Sequence, residues 1–246
     1  MTEYVIHPIP LITFETDMPK MTHLQNYGQK VTMVIYVWYL EGGTKKVAVD
    51  AGGSVEILAY RGFPGGKKIQ TLEEGLGKYG VKPEDIDIVL LTHLHHDHIA
   101  LAPEFKNAKF IVQKAELEGA AKWNSHPLFK GAFPEDMINA VKMDTVDGDT
   151  TIVDGIDVLL TPGHTAGAQS VAVNTSKGCA IIVGACTVQA NFEPSPEVRE
   201  KMSVIAPAIH LSAVDAYDSS VRIQEMADII LPCHEPKYME IPSIPE

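Results

Sequence analysis

Thr92-His93-Leu94-His95-His96-Asp97-His98 places five potential metal ligands within six residues, directly after the apolar run Ile86-Asp87-Ile88-Val89-Leu90-Leu91. That run is rich in β-branched and large aliphatic residues and follows the turn-forming Lys82-Pro83-Glu84-Asp85, which predicts a buried strand with the ligands at its C-terminal end. Imidazoles crowded this closely repel one another when protonated, whereas a divalent cation turns the same crowding into binding energy. In an extended or tightly turned segment side chains alternate with period two, so His93 and His95 point the same way and reach one ion. Asp97 and His98 then fall where a second ion can sit. A solvated His-rich tract or a tag would be terminal and homopolymeric. This cluster is internal, interrupted by Leu94 and Asp97, and anchored to a strand, which is the context a metal site requires.

The pattern His-x-His-x-Asp-His resembles the signature of the metallo-β-lactamase superfamily, and the resemblance extends along most of the chain. Asp50-Ala51-Gly52-Gly53, after Lys46-Val47-Ala48-Val49, is similar to the superfamily's early Asp-x-Gly turn. Thr161-Pro162-Gly163-His164-Thr165, after Val158-Leu159-Leu160, is similar to its Thr-Pro-Gly-His element. Val183-Gly184-Ala185-Cys186 occupies the place of its next metal-ligand loop, and Leu231-Pro232-Cys233-His234 that of its closing strand and last histidine. The fold implied is α+β, a four-layer αββα sandwich.

Size and charge narrow the field. The 246 residues, 45% of them hydrophobic, fit one large domain spanning 1–246, with no linker, repeat or low-complexity tract. A formal net charge of −12 argues against binding a phosphate backbone, so no nucleic-acid partner is expected. Residues Met1 to Pro8 lack the basic and apolar regions of a secretory signal. The run Val31 to Leu40 is far short of the ~20 residues of a membrane helix and reads as a strand. Three cysteines, an odd number, make a disulfide framework improbable. The expectation is a cytoplasmic protein with a small-molecule substrate and no membrane partner, a homodimer being admissible.

The remaining elements follow from pattern. Tyr4 to Asp50 alternates β-favouring runs with turns, as antiparallel hairpins do. Thr71 to Tyr79 predicts a helix capped by Thr71, and Lys114 to Lys122 a second, after the strand Phe110-Ile111-Val112. Trp123 to Phe133 reads as an aromatic loop able to cover a pocket, and Pro134 to Met143 as a short helix. Strands are predicted at Thr150–Val153, Asp157–Leu160, Ser170–Asn174 and Cys179–Val183, then a helix over Asp215–Met226 leading into Ile229-Ile230-Leu231. Gly62-Phe63-Pro64-Gly65-Gly66 is read as a turn.

The resemblance implies two metal sites. The first takes His93, His95 and His164, leaving a fourth tetrahedral position for water, as in catalytic zinc. The second takes Asp97, His98 and His234. Most hydrolases of the superfamily place an aspartate that bridges both ions at the loop where this chain has Gly184-Ala185-Cys186. Cys186 is therefore read as a thiolate ligand to the second ion, or else as a small buried residue. Cys179 and Cys233 are expected to pack, Cys233 because neighbours on a strand face opposite ways. His96 is expected to turn away from both ions, and Asp50 to support a ligating histidine or to cap its turn. His7, His23 and His126 carry no motif.

Zinc, as one or two ions, is the expected cofactor, with manganese or iron as alternatives. A zinc-held water with its pKa lowered to about 7 hydrolyses a carbonyl compound that the metal also polarises. Within the superfamily the chain looks most like the N-acyl homoserine lactonase and 4-pyridoxolactonase group. That likeness implies a hydrolase opening a small cyclic ester or amide, Asp97 orienting the nucleophile and His210 touching the substrate. It departs from the group in lacking the tyrosine that follows the bridging aspartate, having Thr187-Val188-Gln189 instead. A mononuclear-iron oxygenase and a thioesterase or β-lactam hydrolase are the alternatives.

Overall fold

The run from Val31 to Leu40 shows how the layers arise. Met33, Ile35, Val37 and Tyr39 enter one apolar cluster, while Val34, Tyr36, Trp38 and Leu40 enter another. A strand apolar on both faces has to be covered on both faces. The computed structural model describes residues 1–60, 65–129 and 131–245. Part of the Gly62–Gly66 turn therefore lies outside the described residues.

Among the described residues the first sheet holds β1 (Val5–Asp17), β2 (Lys30–Glu41), β3 (Val47–Val49), β4 (Lys67–Lys68), β5 (Ile88–Leu90), β6 (Lys109–Gln113) and β7 (Met143–Val146). Its order is β4-β1-β2-β3-β5-β6-β7, antiparallel from β4 to β3 and parallel from β3 to β7. The second holds β8 (Thr150–Val153), β9 (Ile156–Leu160), β10 (Gln169–Thr175), β11 (Gly178–Val183) and β12 (Ile229–Pro232), in the order β12-β11-β10-β9-β8. Only β12, reached by a helical crossover, runs parallel to its neighbour β11 in that sheet.

The helices are α1 (Val55–Tyr60), α2 (Leu72–Gly77), α3 (His96–Ile99), α4 (Lys114–Trp123), α5 (Glu135–Ile138), α6 (Gln189–Phe192), α7 (Pro196–Arg199) and α8 (Ala213–Met226). The cluster between the sheets joins Val34, Trp38 and Val49 to Val158, Val171 and Ile182. Beyond the first sheet, Leu72, Leu76 and Ala120 bring α2 and α4 onto Ile9, Val89 and Val112. Beyond the second, Ile223 of α8 packs on Leu159 and Ile181. These are the four layers of the expected αββα sandwich. None of the described helices is long and apolar enough to cross a membrane.

Local signals set most boundaries. Thr71 caps α2 through a full capping box, its hydroxyl accepting from Glu74 N at 3.0 Å while the Glu74 carboxylate accepts from Thr71 N at 2.8 Å. The helix expected over Pro134–Met143 is one turn only, and Met143 instead opens β7. This edge strand, Met143-Asp144-Thr145-Val146, buries no residue fully, so no apolar run announces it. The ligand tract is extended only in its first part. It is extended through His95 (φ −69°, ψ 153°) and then coils into α3, which swings Asp97 and His98 away from the line of His93 and His95.

Candidate metal centre

The chemistry-bearing residues converge because each follows the C-terminal end of a strand: Asp50 after β3, His93 after β5, His164 after β9, Cys186 after β11 and His234 after β12. Asp50 sits at φ +62°, a left-handed conformation rare outside glycine and tolerated best by Asp and Asn. That turn directs its buried carboxylate back onto the ligand tract. Gly163 (φ +121°) has a different reason: a side chain there would collide with the backbone of Ala216 in α8. With no side chain there, α8 closes on the His164 loop, and Leu211 N donates to Gly163 O at 2.7 Å.

His93, His95 and His164 form the first donor group, their ligand atoms lying within 4.8 Å of one another. His164 Nδ1 donates to Ile209 O at 2.6 Å, which turns Nε2 inward to 3.1 Å from His93 Nε2. Thr92 Oγ1 donates to Asp50 and lies 3.0 Å from His93 Nδ1, so its oxygen accepts the His93 Nδ1 proton and leaves Nε2 with a lone pair. Tetrahedral zinc with nitrogen ligands needs donors about 3.3 Å apart, so a small contraction closes this group on an ion. Burial and the neighbouring imidazoles hold His93 and His95 well below the usual histidine range. Burial likewise lowers His164 to about 4. Three imidazoles kept neutral are ready ligands.

The second group is of mixed charge. Asp97 Oδ2 lies 3.5 Å from His98 Nε2 and 3.8 Å from His234 Nε2. His98 Nδ1 donates to Asp50 Oδ2 at 2.7 Å, and His234 Nδ1 to Val34 O at 3.0 Å, so both present Nε2. Burial opposes a charge on His98, yet the carboxylates of Asp50 and Asp97 prevail and raise it to about 9. Burial pushes the Asp97 carboxyl up, but His98 and the other imidazoles hold it far below the carboxylate range. His98 Nε2 is fully buried and has no hydrogen-bond partner. A buried orphan nitrogen aimed at a carboxylate and a second imidazole marks a place for a cation.

Cys186 and Cys233 are both buried, and they differ in what their sulfurs face. Cys186 lies in the cavity wall with its thiol 3.8 Å from the Met21 sulfur, and burial pushes that thiol far up. Cys233, expected to pack, has its sulfur within 4.8 Å of the donor atoms of His98 and His234. Strand alternation does not apply to it, because β12 ends at Pro232 and Cys233 and His234 lie in the turn beyond.

Other sequence expectations distribute as follows. His96, expected to turn away, is buried yet lines the same cavity, and Asp50 serves both histidine groups at once. His210 lines the cavity with Nδ1 donating to Pro207 O at 2.8 Å. His23, which carries no motif, packs edge-on against it, ring centroids 5.0 Å apart. His7 sits elsewhere, stacked on Tyr79 and paired with Glu41.

Glu116 escaped the sequence reading. It is wholly buried in α4 and accepts from Leu94 N at 2.9 Å, Thr165 Oγ1 at 2.7 Å and Gly167 N at 3.0 Å. One carboxylate thus ties the His93–His95 segment to the His164 loop. Burial nonetheless raises it above the usual glutamate range. Above the donors is a cavity of about 330 Å³ whose apolar wall includes Phe14, Met21, Met33, Leu58, Phe129 and Phe133. The aromatic loop over Trp123–Phe133 supplies part of that wall, as expected.

Candidate metal donors from His-x-His-x-Asp-His and two later histidines, gathered on an αββα sandwich, define a class. The chain belongs to the metallo-beta-lactamase superfamily, matching that family over residues 32–234. It is 33% identical over 206 residues to an N-acyl homoserine lactonase of Bacillus cereus, spanning 78% of this chain and 80% of that protein. It is also 26% identical over 162 residues to a probable metallo-hydrolase of Methanocaldococcus jannaschii, covering 66% and 63% of the two chains. The crystal structure of a quorum-quenching N-acyl homoserine lactone lactonase superposes with a TM-score of 0.75 over 98% of this chain and 95% of that one. At 23% identity that superposition speaks for the fold alone.

Proposed function

We propose that this protein is a zinc-dependent hydrolase that opens a small cyclic ester or amide carrying an apolar substituent. The observation that carries the reading is the three-imidazole group, neutral and held from behind, facing a largely apolar cavity. His93, His95 and His164 would hold one ion and Asp97, His98 and His234 a second. When bound, the metal supplies an acidified water and a Lewis acid for the carbonyl.

The chain's own groups do the rest. Asp97, kept ionised and near both His98 and His234, accepts a hydrogen bond from the attacking water and fixes its direction. The apolar wall takes the substituent and displaces water from the reacting carbonyl. His210, its Nδ1 proton committed to Pro207 O, offers Nε2 as an acceptor for a substrate N–H or O–H. With Thr187-Val188-Gln189 where related lactonases carry a tyrosine, protonation of the leaving oxygen falls to water.

The test is a ring-opening assay across acylated γ-lactones, cyclic amides, thioesters and β-lactams. Lactone opening that ends on chelation, returns with zinc, and falls in His95→Ala by more than the roughly 10–100-fold of an outer support is expected. Lactone opening that survives chelation or His95→Ala would overturn the reading.

A further inference from the structure

The second donor group is short of negative charge. A dication there meets one carboxylate, Asp97, and two neutral imidazoles, and a net charge left in a buried site is costly. The superfamily's usual remedy, a carboxylate from the loop after β11, is closed to this chain. Gly184 cannot carry a side chain, since a Cβ would collide with the Gln169 carbonyl. Ala185 offers no donor, and the Cys186 thiol is turned to Met21. The sulfur that does stand with His98 and His234 belongs to Cys233.

We infer that Cys233, and not Cys186, is the thiolate donor of the second ion, which is then closed by Asp97, His98, His234 and Cys233. Two independent observations meet here. The Cys233 sulfur shares a 4.8 Å cluster with both imidazoles, and the Nε2 of His98 is buried without a hydrogen-bond partner. Carboxylate and thiolate together neutralise the dication, and Asp-His-His-Cys is a donor set suited to zinc.

The surroundings tolerate the change. Without metal the thiol donates to Ala185 O at 2.8 Å. As the sulfur–metal bond forms, that proton leaves to solvent, and the Ala185 carbonyl keeps the hydroxyl of Thr187, which donates to it at 3.1 Å. His234 N donates to Thr187 O at 3.1 Å, so the same short segment steadies the neighbouring ligand. The two ions are then unequal. Three imidazoles would hold the first, while a carboxylate, two imidazoles and a thiolate would hold the second and favour a thiophilic metal.

The inference rests on the metal-hydrolase reading, and cobalt(II) separates their failures. Full-length protein reconstituted with cobalt is expected to take up two ions and to show a near-ultraviolet sulfur-to-cobalt band that Cys186→Ser keeps and Cys233→Ser loses. The opposite pattern assigns the thiolate to Cys186 and overturns the inference. Two ions without any such band overturn it while leaving the hydrolase reading standing, and failure to bind cobalt overturns both. Should circular dichroism show that Cys233→Ser does not fold, cadmium NMR of Cys186→Ser decides. A resonance shifted downfield by sulfur supports Cys233, and its absence overturns it.

Discussion

The two donor groups lie side by side yet are built on opposite electrostatic plans. The first is three neutral imidazoles with acceptors behind them: Ile209 O for His164 and the Thr92 hydroxyl for His93. The second carries charge before any ion arrives, with Asp97 ionised and His98 raised to about 9 between Asp50 and Asp97. A His98 proton there stands in for the cation. The comparison teaches that an uncharged group admits an ion without displacing a proton, whereas the charged group must first release one.

The largest effect expected on this contrast comes from Glu116→Ala. It strips the acceptor from Leu94 N, Gly167 N and Thr165 Oγ1, and buried donors left unpaired cost about 1–3 kcal/mol each. Stability should fall by about 3 kcal/mol or more in thermal unfolding, and first-site metal affinity by roughly 10–100-fold. Glu116→Gln should recover part of both. Unchanged zinc affinity in the alanine variant would show that the tie between the two loops is not needed.

Asp50→Asn should act mainly on the other group, since the carboxylate holds His98 directly and His93 only through Thr92. Competition against a chelator should show the second ion weakened by roughly 10–100-fold and the first by less. Equal loss from both would break the distinction between the groups.

A separate effect is a slope with pH in metal-free protein. His93, His95 and His164 lie below their unfolded values in the fold, so between about pH 6.5 and about pH 4 the unfolded chain binds more protons. Stability should therefore decline as pH falls through that window. The raised His98 does not cancel this, because its contribution is already complete below the unfolded value and is lost only as pH climbs towards about 9. Melting midpoints measured across pH 4–6.5 in chelator that stay level would contradict the depressed imidazoles.

How much of this was legible in the chain follows from where the information lies. His93, His95, Asp97, His98 and His164 occupy contiguous motifs flanked by strand-forming runs, and the resemblance those motifs carry implied the set that the fold brings together. The layers were legible through the same resemblance, and the structure accounts for them by covering Val31 to Leu40 on both of its apolar faces. Glu116 was not, since its partners Leu94, Thr165 and Gly167 meet it through the approach of two loops and leave no local pattern. The nearness of the Cys233 sulfur to His98 and His234 was not legible, because its surroundings depend on where β12 stops, and one residue of strand length reverses which way a side chain faces. The edge strand β7 had no apolar alternation to show.

The parallel pairing of β12 with β11 has a consequence for how the molecule comes into being. Val183 pairs with Pro232 at the end of that ladder, and His234 follows immediately. His93, His95 and His164 all precede the α8 crossover in the chain, whereas Cys233 and His234 follow α8 and β12. Non-local contacts of this kind form slowly. The three-imidazole group therefore draws its donors from segments that precede the crossover, while the second group is complete only once the non-local pairing of β12 with β11 has formed.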